Sequence, residues 1–295
     1  MHHDHPDATE GDDTSRRLII VAVANLLMSG VAVAGAHFSG SLALWSDAGH
    51  LLLDVSGVAL VLLAIRLGRQ GPDDKHTFGH RRFEVFAATV NALLLIGVAA
   101  FIVWAAAHRF AQPPEIHTGI MLMVAAITCA GNLGIGLWLL RSKGGLGVKS
   151  VITDLFSDAL ASLGVLLAAL LIRYTGIRAF DAGISLGIGL LIIAGAARVL
   201  RDASHVFMDG TPPGFDLAEI RRTLETAPGV AGVHDLHLWS LGPGLPALSA
   251  HVTAEQCDDT RALLAALRDL LATRFDIHHQ TLQIEPRAGC GEIPH

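Results

Sequence analysis

Residues 43–65 read ALWSDAGHLLLDVSGVALVLLAI, and residues 151–172 read VITDLFSDALASLGVLLAALLI. Each run matches the roughly 20 apolar residues that a helix needs to cross a bilayer. Yet the first contains Asp47, His50 and Asp54, and the second contains Asp154 and Asp158. At helical spacing the first three share one face, within about 60° of one another, and the second pair lies one turn apart on a single face. Ionisable side chains at bilayer depth are costly and mark functional sites. Neither run offers a lysine or arginine at matching depth, since Arg66 and Lys149 lie at the ends. Snorkelling or pairing with a basic group therefore lacks its partner. Four carboxylates with no cation among them repel one another, and a bound divalent cation supplies the missing charge.

Working outward, six apolar runs occupy residues 18–38, 43–65, 83–107, 117–140, 151–172 and 180–200. The chain is 52% hydrophobic and 16% charged, against about 25% charged in soluble domains. In lipid such runs must be helical, because every backbone group needs an internal partner. The expectation is an all-α six-helix transmembrane domain over residues 16–205 that uses the lipid bilayer as solvent. Arg16, Arg17, Arg66, Arg69, Lys75, Arg81, Arg82, Arg141, Lys143, Lys149, Arg198 and Arg201 fall on one side of it, and only Arg109, Arg173 and Arg178 on the other. That asymmetry puts both termini in the cytoplasm. The net charge of -6 leaves no basic footprint for nucleic acid. Cys129, Cys257 and Cys290 make neither a disulfide framework nor a CxxC site. Residues 1–15, MHHDHPDATEGDDTS, are polar and acidic, unlike a signal peptide, and read as a flexible cytoplasmic tail.

After about residue 205 the chain becomes charged, with Pro212-Pro213-Gly214 as a linker. Residues 216–227 and 258–274 read as amphipathic helices, the second with a stripe of Leu263, Leu264, Leu267, Leu270 and Leu271. Residues 232–241, 246–254 and 279–286 read as strands, the first two joined through Gly242-Pro243-Gly244. The order αββαβ over 206–288 is a small α+β domain with helices on one sheet face, followed by a tail at 289–295.

His50, Asp54, Asp154 and Asp158 form the candidate transport set, one imidazole and three carboxylates. Two i,i+4 pairs on facing helices can close the tetrahedron zinc prefers. Calcium wants more oxygens, and magnesium an octahedral site with water. Cadmium, cobalt, iron(II) and manganese stay open. Asp47, one turn before His50, either orients that imidazole or faces the wet mouth of a cavity. A loop group, Asp73, Asp74, His76 and His80 in GPDDKHTFGHRR, has a spacing that permits metal, although exposed loop histidines are common. The α+β domain holds His234, His237, His251, His278, His279 and Glu285. On a regular strand His234 and His237 point to opposite faces and cannot share a site without a bulge.

At these residues the chain resembles the cation diffusion facilitator family, over nearly all of residues 16–288. GSLALWSDAGHLLLD at 40–54 resembles that family's metal-binding helix, with His50 and Asp54 in HxxxD positions. TFGHRRFEVFAA at 77–88, HDLHLW at 234–239 and HHQTLQIE at 278–285 resemble its other signatures. The resemblance implies a six-helix homodimer with a ferredoxin-like, metallochaperone-like cytoplasmic domain. It implies export of zinc, with cadmium, from the cytoplasm in exchange for protons by alternating access, across the inner membrane if the source is bacterial. It also implies metal at the loop residues Asp73, His76 and His80, and regulatory zinc at the cytoplasmic interface. The interfacial ligands carry over to His234 and His251, and then to Glu285; Gln283 stands where some members place histidine. The fifth helix departs from the family, reading Asp154 where HxxxD places histidine.

Two other classes compete. A membrane metalloenzyme needs an open metal position and a base, as in HExxH, and no such motif is present; nor does a nucleotide-binding P-loop support a pump. The protein is therefore expected not to be an enzyme. A non-transporting metal sensor has no use for ligands buried at membrane depth, and a transporter of manganese, cobalt or iron(II) would share the same mechanism.

Overall fold

The computed structural model describes residues 8–68, 70–141, 146–255 and 260–286. The MHHDH start, Arg69, Lys143, Cys257, Cys290 and the 289–295 tail lie outside the described residues. Six long helices come first: α1 (Ala8–Ser39), α2 (Leu42–Gly68), α3 (Phe83–Ala111), α4 (Thr118–Leu140), α5 (Leu146–Thr175) and α6 (Ala179–Phe207). Then follow α7 (Leu217–Glu225), β1 (Val230–Gly242), β2 (Leu245–Ala254), α8 (Thr260–Phe275) and β3 (His279–Pro286). Two expectations shift. Helix α1 already runs from Ala8, so helical backbone extends into the stretch read as a flexible tail. Helix α6 continues to Phe207, two residues past the expected boundary at 205.

Among the described residues, five helical stretches are long and apolar enough to cross a membrane: Ile19–Ser39, Phe83–Ala111, Thr118–Leu140, Val151–Thr175 and Ala179–Phe207. Helix α2 is not one of the five. Their large apolar side chains, such as Phe101, Trp104, Leu160 and Leu191, remain exposed, the pattern of surfaces whose solvent is lipid.

The described chain divides into two compact units. The first takes the residues up to Leu60 together with Val90–Val199. Its core joins Ala36 of α1, Ala43 and Leu44 of α2, Met121, Val124 and Ala125 of α4, Val165, Ala168 and Ala169 of α5 and Ile188 of α6. Small residues let these helices close up. A Cβ on Gly35 would lie 2.5 Å from a methyl of Val124, and one on Gly131 would meet the sulfur of Met28. The α1–α2 turn rests on Gly40, whose φ of +71° suits glycine and whose Cβ would meet the Glu115 carbonyl at 2.9 Å.

The second unit takes Val61–Thr89 and the chain from Leu200 onward. Its sheet has the order β1-β2-β3, with β1 antiparallel and β3 parallel to β2. The parallel pair requires a crossover, which α8 provides. Asp216 caps α7 by accepting from the Ala218 amide at 2.9 Å. Ile220 and Leu224 of α7 and Leu267 and Leu271 of α8 pack on Val233, Leu238, Leu248 and Val252. Leu271 is fully buried there. Replacing it by alanine should lower the stability of the sheet-bearing unit by about 2–5 kcal/mol, read as a shifted urea midpoint in circular dichroism. A loss below about 1 kcal/mol would mean that α8 does not close this core.

Candidate metal centre

Three groups of imidazole and carboxylate side chains form among the described residues, each with donor atoms within 4.8 Å of one another. The first joins His50 and Asp54 of α2 to Asp158 of α5. His50 Nε2 lies 3.2 Å from Asp158 Oδ1, and His50 Nδ1 lies 3.6 Å from Asp54 Oδ1. Neither approach has hydrogen-bond geometry: His50 Nδ1 and Asp158 Oδ1 are buried atoms without a hydrogen bond. Buried polar atoms left unsatisfied are costly, and a cation is a ligand with the chemistry to satisfy both. Asp154 is not brought into this group; one turn earlier on α5, it is exposed. Asp47 is 2% exposed and accepts from Ser162 Oγ of α5 at 3.2 Å on both oxygens. Asp47 thus meets α5 through Ser162.

The second group is the loop Asp73, His76 and His80. Asp73 Oδ1 accepts from the amides of Lys75 at 2.8 Å and His76 at 2.6 Å, a side-chain-closed turn. His76 Nδ1 is 3.2 Å and His80 Nε2 3.9 Å from the same carboxylate. Those amides, His76 first, hold the Asp73 carboxyl below the ordinary 3.8.

The third group is His234 of β1, His251 of β2 and Glu285 of β3. Antiparallel pairing sets His234 opposite His251. Glu285 is hydrogen-bonded to His251 Nδ1 at 2.7 Å, accepts from Gln283 Nε2 at 3.1 Å and stands 3.2 Å from His234 Nε2. His237 is not part of this group. A register shift lies between His234 and His237, and Asp235 in it has φ +48°. His237 bonds to Asp235 at 2.8 Å, which holds that carboxyl below its usual range. It also lines a cavity of about 910 Å³ with His76, His80 and Trp239. His278 bonds Asp276, and His279 stacks edge-on with Phe78.

Sequence reasoning missed Ser162, since a serine in an apolar run carries no signal. It also missed Asp181, which the rule that flagged Asp47 would have found. Asp181 is buried at the start of α6 and accepts from Ser41 Oγ and from the amides of Leu42 and Ala43.

Carboxylates and imidazoles clustered among long apolar helices and in the sheet-bearing unit are the donor set expected of a membrane protein that handles cations. The profile of the cation efflux transmembrane domain matches residues 18–208, and that of the cation efflux protein cytoplasmic domain matches residues 212–287. The chain belongs to the cation efflux family, the cation diffusion facilitators, and is an integral membrane protein. The metal cation efflux system protein CzcD of Cupriavidus metallidurans is 37% identical over 286 residues, spanning 96% of this chain and 89% of its own. The zinc transporter ZitB of Escherichia coli is 34% identical over 292 residues, 97% of this chain and 93% of its own. A cadmium, cobalt and zinc/H(+)-K(+) antiporter of Bacillus velezensis is 33% identical over 294 residues, 98% of this chain and 93% of its own.

A carboxyl held below 3.8 in the fold stabilises its loop above that pH and loses this contribution as pH falls through the lower value. The Asp73 carboxyl carbon resonance should therefore titrate below pH 3.8. Titration at or above that value would show that the two amides do not hold it.

Proposed function

We propose that the protein exports divalent transition-metal cations, zinc foremost and cadmium with it, from the cytoplasm in exchange for protons by alternating access. The observation that carries this reading is the buried trio on α2 and α5, with His50 Nδ1 and Asp158 Oδ1 lacking hydrogen bonds. One imidazole and two carboxylates suit zinc better than calcium or magnesium. Asp154 joins as fourth ligand when α5 closes on α2. The relatives named for zinc, cadmium and cobalt support the substrate class, and the name of one antiporter supports the proton. Because ligands bind metal only when deprotonated, protons entering from the far side displace the ion.

Helix α2 is the sixth span in this reading. It starts two residues after the turn ending α1, and its 27 residues are long enough to recross the bilayer. Both termini then face the cytoplasm. The αββαβ unit is read as ferredoxin-like and dimer-forming. His234, His251 and Glu285 would hold a regulatory zinc, and Asp73, His76 and His80 a loop ion; the mixed nitrogen and oxygen donors within 4.8 Å fit both. Zinc held there would stabilise the form that binds it.

In proteoliposomes, Asp54→Ala and Asp158→Ala should each abolish zinc flux while the dimer stays intact on size exclusion. In the wild type, zinc entry should drive protons out of the vesicle and respond to an imposed pH gradient. Flux of full size in either variant would remove the trio from transport; flux without proton movement would leave facilitated diffusion. Binding without any flux would favour a sensor.

Asp154 favours a second reading, with manganese, cobalt or iron(II) as the main cargo, because carboxylate suits the harder ions. Asp154→His should raise the zinc-to-manganese flux ratio, even if absolute affinity falls with the loss of a negative charge. A competition assay at fixed pH that gave an unchanged or lower ratio would place selectivity elsewhere.

A further inference from the structure

We propose that Asp181 is a positioning residue for metal transport, fixing the register in which α2 presents His50 and Asp54 to Asp158 on α5. This rests on the reading of that trio as the transport site. Helices α2 and α5 are joined directly at two levels one turn apart, in antiparallel order. Ahead of them, Ala43 and Leu44 belong to the same buried cluster as Val165. One turn along, Ser162 Oγ donates to Asp47. One further turn brings His50 Nε2 to 3.2 Å from Asp158. Extending the pattern by one more turn places Asp54 opposite Asp154, the carboxylate outside the present group. The ligands thus meet only if α2 keeps its axial position, since a slip of one residue moves a side chain about 1.5 Å along the axis and about 100° around it.

The end of α2 ahead of these levels is held by one carboxylate from another helix. Asp181 of α6 is 1% exposed. Its Oδ2 accepts from the Leu42 amide at 2.7 Å and its Oδ1 from the Ala43 amide at 3.1 Å. Ser41 Oγ donates to Oδ1 and itself accepts from the Leu44 amide at 3.1 Å. The first-turn amides that a helix leaves unpaired thus lead directly, or through one hydroxyl, to Asp181. Arg109 of α3 stands 3.6 Å from Asp181 Oδ2 and donates to the Gly40 carbonyl at 2.7 Å. A single arginine therefore balances the buried charge and grips the preceding turn. Ordinary capping comes from a residue beside the helix in sequence; here it comes from α6, so it ties α2 to a helix that contributes no donor to any of the three groups.

The test compares wild type, Asp181→Ala, Asp181→Asn and Asp158→Ala, each full length and reconstituted, with zinc flux measured against zinc concentration. Losing a residue that positions ligands typically weakens metal binding about 10-fold or more, so Asp181→Ala should raise KM for zinc by that factor with Vmax per folded dimer largely kept. Asp181→Asn, which retains one acceptor oxygen, should give a smaller rise, and it carries the test if the alanine variant does not fold. A lowered melting temperature with unchanged KM in the folded Asp181 variants would make the cap purely structural and overturn the proposal. Flux lost in Asp158→Ala with KM unmoved in the Asp181 variants refutes the positioning role alone. Flux kept in Asp158→Ala refutes the transport-site reading and this inference with it.

Discussion

The burial of carboxyl side chains within the apolar helices governs this structure. Asp47, Asp158 and Asp181 are each nearly inaccessible on helices of the apolar region, where an unpaired carboxylate is costly. The chain answers the cost differently each time. Asp181 has an arginine, a hydroxyl and two backbone amides. Asp47 has a serine hydroxyl from the neighbouring helix. Among the described residues Asp158 faces the edge of an imidazole, with its Oδ1 left without a hydrogen bond. Of the three acids, it is the one whose needs the fold leaves partly unmet, and the proposed transport site rests on that difference.

The same donor chemistry recurs in three settings. The trio on α2 and α5 is buried to half-buried, the strand group is half-buried with His234 exposed, and the loop group is largely exposed. Burial sets the electrostatic weight of each group. A partly buried trio holds its carboxylates and imidazole in a medium where charges interact more strongly than in water, which is why the proposed transport step is assigned there. The loop group, pre-shaped by the two amides on Asp73, stands largely in solvent, where the same charges are screened.

Much of this was legible beforehand because periodicity and lipid cost are local properties. The six helices, the αββαβ order and the meeting of His50, Asp54 and Asp158 follow from spacing and from the absence of lysine and arginine. The union of His234, His251 and Glu285 came from resemblance, since strand register is set by pairing across the sheet and not by local pattern. The bulge that separates His237 from that group was invisible because it depends on one residue, Asp235, taking a left-handed backbone. Asp154 stands outside the trio because helical spacing fixes a face but not how closely the opposite helix approaches it. The Asp181 tie escaped because its partners are about 140 residues away in sequence.

The parallel placement of β3 has a consequence for folding. His234 and His251 pair across a hairpin and lie close together in sequence, whereas Glu285 follows His251 by 34 residues, beyond the whole of α8. The two imidazoles belong to a local hairpin, whereas their shared carboxylate belongs to the last strand and is brought in only when the crossover closes. The proposed strand group is therefore complete only after the whole sheet has formed, which couples its donor set to the folding of the entire unit and not to the hairpin alone.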